Sequence, residues 1–181
     1  MGFFSFIFRA RHERVGFLLY NQAVQAARDP AWFEALGVPD TLDGRFDVVG
    51  LFAALLIRRL RVLPPPGAGL AQAVFDAMFS DMDFNLRELG VSDMSIGRRM
   101  RAMWEAFHGR ALAYDGPLDE GDTPALAAAL VRNVWRGSAP AGAADRLARA
   151  AQLQDKHLAS IPLASIEAGL VAFLPARSVL E

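Results

Sequence analysis

Three histidines are the first side chains of this sequence to consider for metal or acid-base chemistry. His12, His108 and His157 are widely spaced, and they do not form the HExxH-like arrangement that brings two imidazoles to one metal ion. The sequence therefore does not indicate a zinc or haem site. We expect His108 to lie on the surface of its helix or to pack against neighbouring side chains.

Four carboxylates in one short stretch are the next candidates for a metal site. Asp76 and Asp83 fall on one face of the helix predicted there, whereas Asp81 and Glu88 fall on other faces. Arg87 stands four residues after Asp83, where it can form an ion pair, and the loop spacing of an EF-hand is absent. We therefore expect ion pairs here, and the sequence predicts neither a metal nor a cofactor.

The common nucleophile and phosphate-binding motifs are absent from the sequence. It has no cysteine, and none of the patterns GxSxG, GxxxxGKS/T and GxGxxG occurs. This favours a helical, partner-binding domain that is not an enzyme. The alternative is a small-molecule binder or enzyme of lipid or quinone metabolism, which would use Asp83, Arg87 and Arg110 as the polar groups of a cleft between helices.

The composition of the chain limits the kinds of partner that it can bind. A net charge of -1 gives no general attraction to nucleic acid, so DNA is not expected as a partner. A hydrophobic content of 53% is high and leaves apolar surface for another protein. The longest unbroken apolar run, residues 48–57, has about half the length of a membrane span, so no transmembrane helix is predicted.

Two amphipathic helices between Phe75 and Tyr114 are predicted to organise the fold. Their large apolar residues recur at steps of three and four, and Gly90 marks the corner between them, followed by Ser92 or Ser95 as a cap. We expect the core to form around this pair. The apolar positions are Phe75, Met78, Phe79, Met82, Leu86, Leu89, Ile96, Met100, Met103, Trp104, Phe107 and Leu112.

A helix from Arg45 to Leu63 precedes the pair, and we expect it to be the most buried. Asp43 is placed to cap it, and the prolines from residue 64 end it. Its last turns carry Arg58, Arg59 and Arg61, which form either a solvated helix end or a patch for an anion or partner.

After the pair, a turn is predicted at residues 115–117, followed by helices from Pro124 and from Ala143. No strand pattern is present. The sequence predicts an all-α fold: one irregular domain of seven to eight helices around the central pair.

The N-terminal segment combines aromatic and basic residues. Phe3, Phe4 and Phe6 are followed by Arg9 and Arg11. Either the phenylalanines dock on the domain, or they enter a membrane interface while the arginines meet anionic lipid headgroups.

Four short motifs then occur together in order: DGRFD, DMDFNLRE, GVSDMSIG and FHGRALAY. Through them the chain resembles the ubiquinol-cytochrome c chaperone family from about Leu18 to Trp135. The resemblance implies a helical, non-enzymatic assembly factor for respiratory complex III, which binds newly made cytochrome b or an assembly intermediate, together with a small partner protein. The lack of an arginine- and serine-rich transit peptide favours a bacterial member, in the cytoplasm and peripheral at the inner membrane.

The resemblance also supplies candidate partner-binding or structural residues, at the positions that match the family's motifs. Phe52 departs from the pattern, because a histidine often stands there in the family. Arginines at these positions either lock helices through ion pairs or engage a partner's carboxylates. The matching positions are Asp40, Gly44, Arg45, Phe46, Asp47, Asp83, Arg87, Glu88, Gly90, Asp93, Gly97, Phe107, Gly109, Arg110 and Tyr114.

The sequence accordingly predicts three parts. Residues 1–14 form an apolar and basic segment with possible membrane contact, residues 15–137 form the chaperone-family domain, and residues 138–181 contain a linker and C-terminal helices.

Overall fold

The computed structural model describes the backbone of residues 3–180 and the side chains of residues 11–180. Within these residues the chain is entirely helical, with nine α-helices and no strand, which confirms the predicted all-α class. The helices are α1 (Phe3–Ala27), α2 (Ala31–Glu34), α3 (Leu42–Arg61), α4 (Gly67–Glu88), α5 (Asp93–Glu120), α6 (Thr123–Val134), α7 (Ala143–Ser160), α8 (Leu163–Glu167) and α9 (Ala176–Leu180).

The most buried helix is α3, as its unbroken apolar sequence predicts. It packs against α1, α4 and α7 and buries residues on most of its circumference, from Asp47 to Leu60. Thr41 caps its start by accepting a hydrogen bond from the Gly44 amide at 3.1 Å. The prediction of Asp43 as the cap was therefore wrong, since this residue lies inside the first turn.

Close packing of α1 on α4 depends on small residues. The two helices run in parallel, because His12 lies beside Gly69 and Gly16 lies against Ala73. A Cβ added at Gly16 would come within 2.5 Å of the Ala73 Cβ, so this approach requires glycine.

The predicted helix pair is present as α4 and α5, and Gly90 adopts the left-handed conformation (φ +75°) at their corner. However, α5 buries only Ile96, Phe107 and Tyr114 among its residues, while Met94 and Leu112 point to solvent. The pair therefore flanks the core, whose centre is α3.

The turn predicted at residues 115–117 was wrong. Helix α5 continues through Pro117 to Glu120 and is followed by Gly121, which has φ +69°. The guanidinium of Arg58 lies 3.4 Å from Asp115 and 2.5 Å from Asp119, one turn apart on α5. These ion pairs lie on either side of Pro117 and join this part of α5 to α3.

The C-terminal helices pack on the rest of the domain. Helix α7 lies against α6 and α3 and buries apolar residues such as Leu147 and Leu158. The buried Gln154 side chain donates to the Leu174 carbonyl at 2.7 Å and accepts from the Leu174 amide at 2.9 Å. This side chain therefore fixes the segment that leads to α9.

In the described part of the chain, no helix is long and apolar enough to cross a membrane. The side chains of Phe3, Phe4, Phe6 and Arg9, for which membrane contact was predicted, lie outside the described residues. Arg11 is exposed.

Candidate functional site

A cleft of about 900 Å³ opens where the ends of α1 and α4 meet α2, the start of α3 and the first half of α5. We call this feature the cleft. It is open on one side, and its apolar lining includes Phe33, Phe46, Val49, Met82, Leu86 and Met103.

Helix α4 lies between α1 and α5, which pack against its opposite faces. On one face the Tyr20 hydroxyl of α1 donates to Asp81 at 2.7 Å. On the other face Phe75 and Phe79 pack on Phe107 of α5, with ring centroids 5.8 and 6.3 Å apart. Helices α1 and α5 are thereby held apart, and the cleft lies between them.

Asp47 is the buried anchor of the α5 side. Its carboxylate lies 2.5 Å from Nη1 of Arg110 and 2.6 Å from Nη1 of Arg136, and its side chain is only 1% exposed. The Arg110 guanidinium also lies 5.5 Å from the centre of the Phe46 ring. Burial raises the pKa of Asp47, and the two arginines oppose that shift.

Arg136 reaches this anchor from an unusual backbone position. Its φ of +54° lies in the left-handed region, which residues other than glycine rarely adopt. Besides Asp47, the side chain donates to the Asn133 carbonyl. The sequence gives no signal for Arg136, because only the fold brings residue 136 beside residue 47.

Arg45 and Asp40 form an exposed ion pair at the mouth of the cleft. Nε of Arg45 donates to Asp40 at 2.6 Å, and both side chains are more than half exposed. This hydrogen bond lowers the pKa of Asp40. Both groups are therefore accessible to a partner, unlike Asp47.

Arg87 lies outside the cleft and joins α4 to α5. It contacts Asp83 at 2.7 Å, which confirms the predicted ion pair, and it contacts Asp93 at 2.7 Å. Glu88 is exposed in the last turn of α4. The small-molecule alternative requires Asp83, Arg87 and Arg110 to share one cleft. In the structure only Arg110 lines the cleft.

The remaining family positions have structural surroundings of different kinds. Phe107 and Tyr114 are in the core, and burial raises the pKa of Tyr114 to about 12. Gly44 faces the Pro39 carbonyl so closely that a Cβ would collide with it. Gly97 and Gly109 are exposed on α5 with open space around them.

Like Arg136, Arg99 and Phe33 line the cleft and were not singled out from the sequence. Their role depends on which helices pack beside them. Met82 and Met103 line it as well, whereas Met78 is buried in the core and Met94 is exposed. The histidines and carboxylates of the described residues form no group that could hold a metal ion.

An open apolar cleft bordered by arginines, in an all-helical domain, is the kind of site that binds another polypeptide. The model of the ubiquinol-cytochrome C chaperone family matches residues 34–173. The chain belongs to this family, which confirms the resemblance in the motifs. The match includes α7 and α8, beyond the region that the motifs cover.

Two similar proteins agree with this assignment. Ubiquinol-cytochrome-c reductase complex assembly factor 1 from Xenopus laevis is 27% identical over 116 residues, which are 64% of this chain and 58% of that protein. The chain thus spans less than two thirds of that relative. The crystal structure of the Cbp3 homolog from Brucella abortus is 31% identical, with a TM-score of 0.84 over 97% of this chain and 98% of that one.

Proposed function

We propose that this protein is a non-enzymatic assembly chaperone for ubiquinol-cytochrome c reductase, complex III, and that it binds newly made cytochrome b or its apolar segments. The observation that carries the proposal is the cleft, which lies mostly within the family match and has Asp40, Arg45, Phe46 and Arg110 among its lining. The family assignment supplies the assembly role, and the cleft supplies a place for a client.

The lining of the cleft suits an apolar client. Met82 and Met103 have flexible, polarisable side chains that adapt to varied apolar surfaces. A closed pocket would favour a small molecule, because such pockets bury most of their ligand. The open side favours a polypeptide that continues past the cleft.

Peripheral attachment to the cytoplasmic face of the inner membrane is a second part of the proposal. His12 lies beside Gly69, and Gly67 lies beside Leu60. The first residues of α1 whose side chains are described are therefore near the end of α3. Arg11, Arg14, Arg61 and the apolar Val62 are exposed at this end. Cations beside apolar side chains support contact with anionic lipid.

A small partner protein would find exposed apolar side chains on the outer face of α5. Met94 and Leu112 differ by eighteen positions, or five turns, and both point to solvent. This face is separate from the cleft, so a client and a second protein could bind together.

Deleting the gene tests the assembly role. Assembled complex III should fall while other respiratory complexes stay near normal, and unchanged complex III would contradict the proposal.

An affinity pull-down from gently solubilised membranes tests the client. Cytochrome b should be recovered with the wild-type protein and less well with Arg45→Ala, whose thermal stability should be unchanged because its ion pair is exposed.

Membrane contact has a separate test. The full chain should co-sediment with anionic liposomes, and removal of residues 1–11 should weaken the interaction. Equal sedimentation of both forms would refute the contribution of the N-terminal segment.

A further inference from the structure

The α5 side of the cleft carries more positive charge than its own carboxylate neutralises. Arg99, Arg110 and Arg136 line this side, and Asp47 pairs with the last two. The side chain of Arg99 makes no ion pair or hydrogen bond with another residue of the described chain. An apolar cleft therefore has an unneutralised cation at its edge.

The α2 side has no such excess. Glu34 and Asp40 line it, together with Arg28 and Arg45, so its charges balance. Asp43 lies one turn before Asp47 and acts on that carboxylate, so the three arginines of the α5 side face two carboxylates and keep an excess of one positive charge. Asp81 lines the cleft from α4 and is held by Tyr20. A ligand with carboxylates along one edge is attracted to the α5 side and gains no such attraction at the α2 side, so the charges also set its orientation.

The size of the cleft matches part of a helix. A helix 10 to 12 Å across occupies roughly 500 Å³ per turn. The cleft of about 900 Å³ would therefore hold the inner half of roughly three to four turns. The outer half would remain at the open side.

We propose that the cleft binds an amphipathic helix of a partner protein, whose apolar face meets Phe46, Met82 and Met103 and whose acidic edge meets Arg99, Arg110 and Arg136. The inference rests on the proposed function and deepens it by stating the chemistry of the bound segment. Anionic lipid fits less well, because the five arginines of the lining are matched by four lining carboxylates and Asp47, so the cleft as a whole has no positive excess to attract headgroups.

The probe is a designed, fluorescently labelled helical peptide of about four to five turns with leucine on one face and glutamate along one edge. A second peptide replaces each glutamate by lysine. Fluorescence anisotropy with the full-length protein should show tighter binding of the glutamate peptide, and added salt should reduce the difference. Equal affinity for both peptides would overturn the inference.

Arg99→Glu tests the charge directly. It should weaken binding of the glutamate peptide about tenfold and strengthen binding of the lysine peptide, because one repulsion replaces one attraction. Arg98→Glu is the matched control: Arg98 is exposed, points about 100° away around α5 and does not line the cleft. An equal loss with Arg98→Glu would attribute the effect to net charge and overturn the proposed contact.

Ala102→Trp tests the location. Ala102 is exposed and lines the cleft, so a bulky side chain should block the peptide without disturbing the core. Binding at wild-type affinity would place the peptide elsewhere. Competition by vesicles of anionic lipid at the same site would favour a lipid ligand and would also overturn the inference.

The pull-down separates this inference from the proposed function. Cytochrome b recovered equally well with Arg99→Glu and wild-type protein would overturn the charged contact and leave the chaperone function intact. Failure of the wild-type protein to recover any complex III subunit would instead contradict the proposed client.

Discussion

At the residue scale, the family's charged positions divide into two kinds. Asp47 is buried and bridges two arginines, whereas Asp40 with Arg45 and Asp83 with Arg87 are exposed pairs. Removing one partner of a buried pair leaves an uncompensated charge, while an exposed pair exchanges its partner for water. The motif DGRFD therefore combines a structural carboxylate with accessible groups at the mouth of the cleft.

Asp47→Ala should lower the free energy of unfolding by about 3 to 5 kcal/mol. The substitution leaves the buried Nη1 of Arg110 without a counter-charge and removes the anchor of Arg136. Urea unfolding followed by circular dichroism measures the loss. The control is Asp40→Ala, which breaks the exposed pair with Arg45 of the same motif and should unfold like the wild type. Equal effects would contradict the structural role of Asp47.

The two tyrosines should resist ionisation in the folded protein. Burial raises the pKa of Tyr114 to about 12, and burial together with the hydrogen bond to Asp81 raises the pKa of Tyr20. The unfolded chain ionises near pH 10, so between about pH 10 and 12 the unfolded state binds fewer protons than the folded state. Stability should be unaffected by the tyrosines below this range and should fall as pH rises through it.

Ultraviolet absorbance of tyrosinate measures this directly, because the chain contains only these two tyrosines. At about pH 11, roughly one unit above the ordinary value, native protein should show little tyrosinate until it unfolds. A normal titration in protein that keeps its helical circular dichroism would contradict the burial of both hydroxyls.

At the element scale, Arg58 joins three helices. From the end of α3 it contacts Asp115 and Asp119 of α5 and, at 3.1 Å, Asp155 of α7. The sequence left open whether the arginines at this helix end are solvated or form a partner patch. For Arg58 neither interpretation holds, since its partners lie within the domain.

Arg58→Ala should destabilise the protein by about 1 to 2 kcal/mol, because several charge-assisted contacts of a largely buried guanidinium are lost. The matched control is Arg61→Ala, on the same turn but exposed. Thermal unfolding of both variants compares them. Hydrogen exchange should also show faster opening of residues 115–120 in Arg58→Ala, and unchanged exchange there would contradict the clamp.

The spacing of apolar residues predicted the helices well where the local sequence and the packing of the fold favour the same conformation. The apolar spacing of α3, α4 and most of α5 was sufficient, as was Gly90 for the corner between α4 and α5. The end of α5 could not be predicted, because residues 115–117 locally favour a turn and only the fold places Asp115 and Asp119 beside Arg58. The exposure of Met94 and Leu112 likewise depends on which helices pack nearby.

The cleft itself was less predictable than the helices. The motifs identified Arg45, Phe46 and Arg110, and all three line it. Arg99 and Arg136 could not be assigned, because their positions depend on how α5 and α6 pack against α3. The functional role of the motif residues remains a prediction that the binding experiments address.

At the scale of the whole molecule, the question is whether residues 138–181 form a separate addition or part of one cooperative unit. Helix α7 covers α3, whose apolar residues would otherwise be exposed, and Gln154 ties residue 174 to it. A core shared across residue 137 makes one cooperative unfolding transition the physical expectation.

Leu147→Ala tests that coupling. Leu147 is fully buried on α7, so its truncation should cost about 2 to 5 kcal/mol, whereas Leu153→Ala on the exposed face of the same helix should cost little. All three tryptophans precede residue 138, so their fluorescence reports on the rest of the domain. In Leu147→Ala the fluorescence transition should shift as far as the circular dichroism transition. A fluorescence midpoint that stays at the wild-type value would show that the C-terminal helices unfold independently, and the cleft would then be built without them.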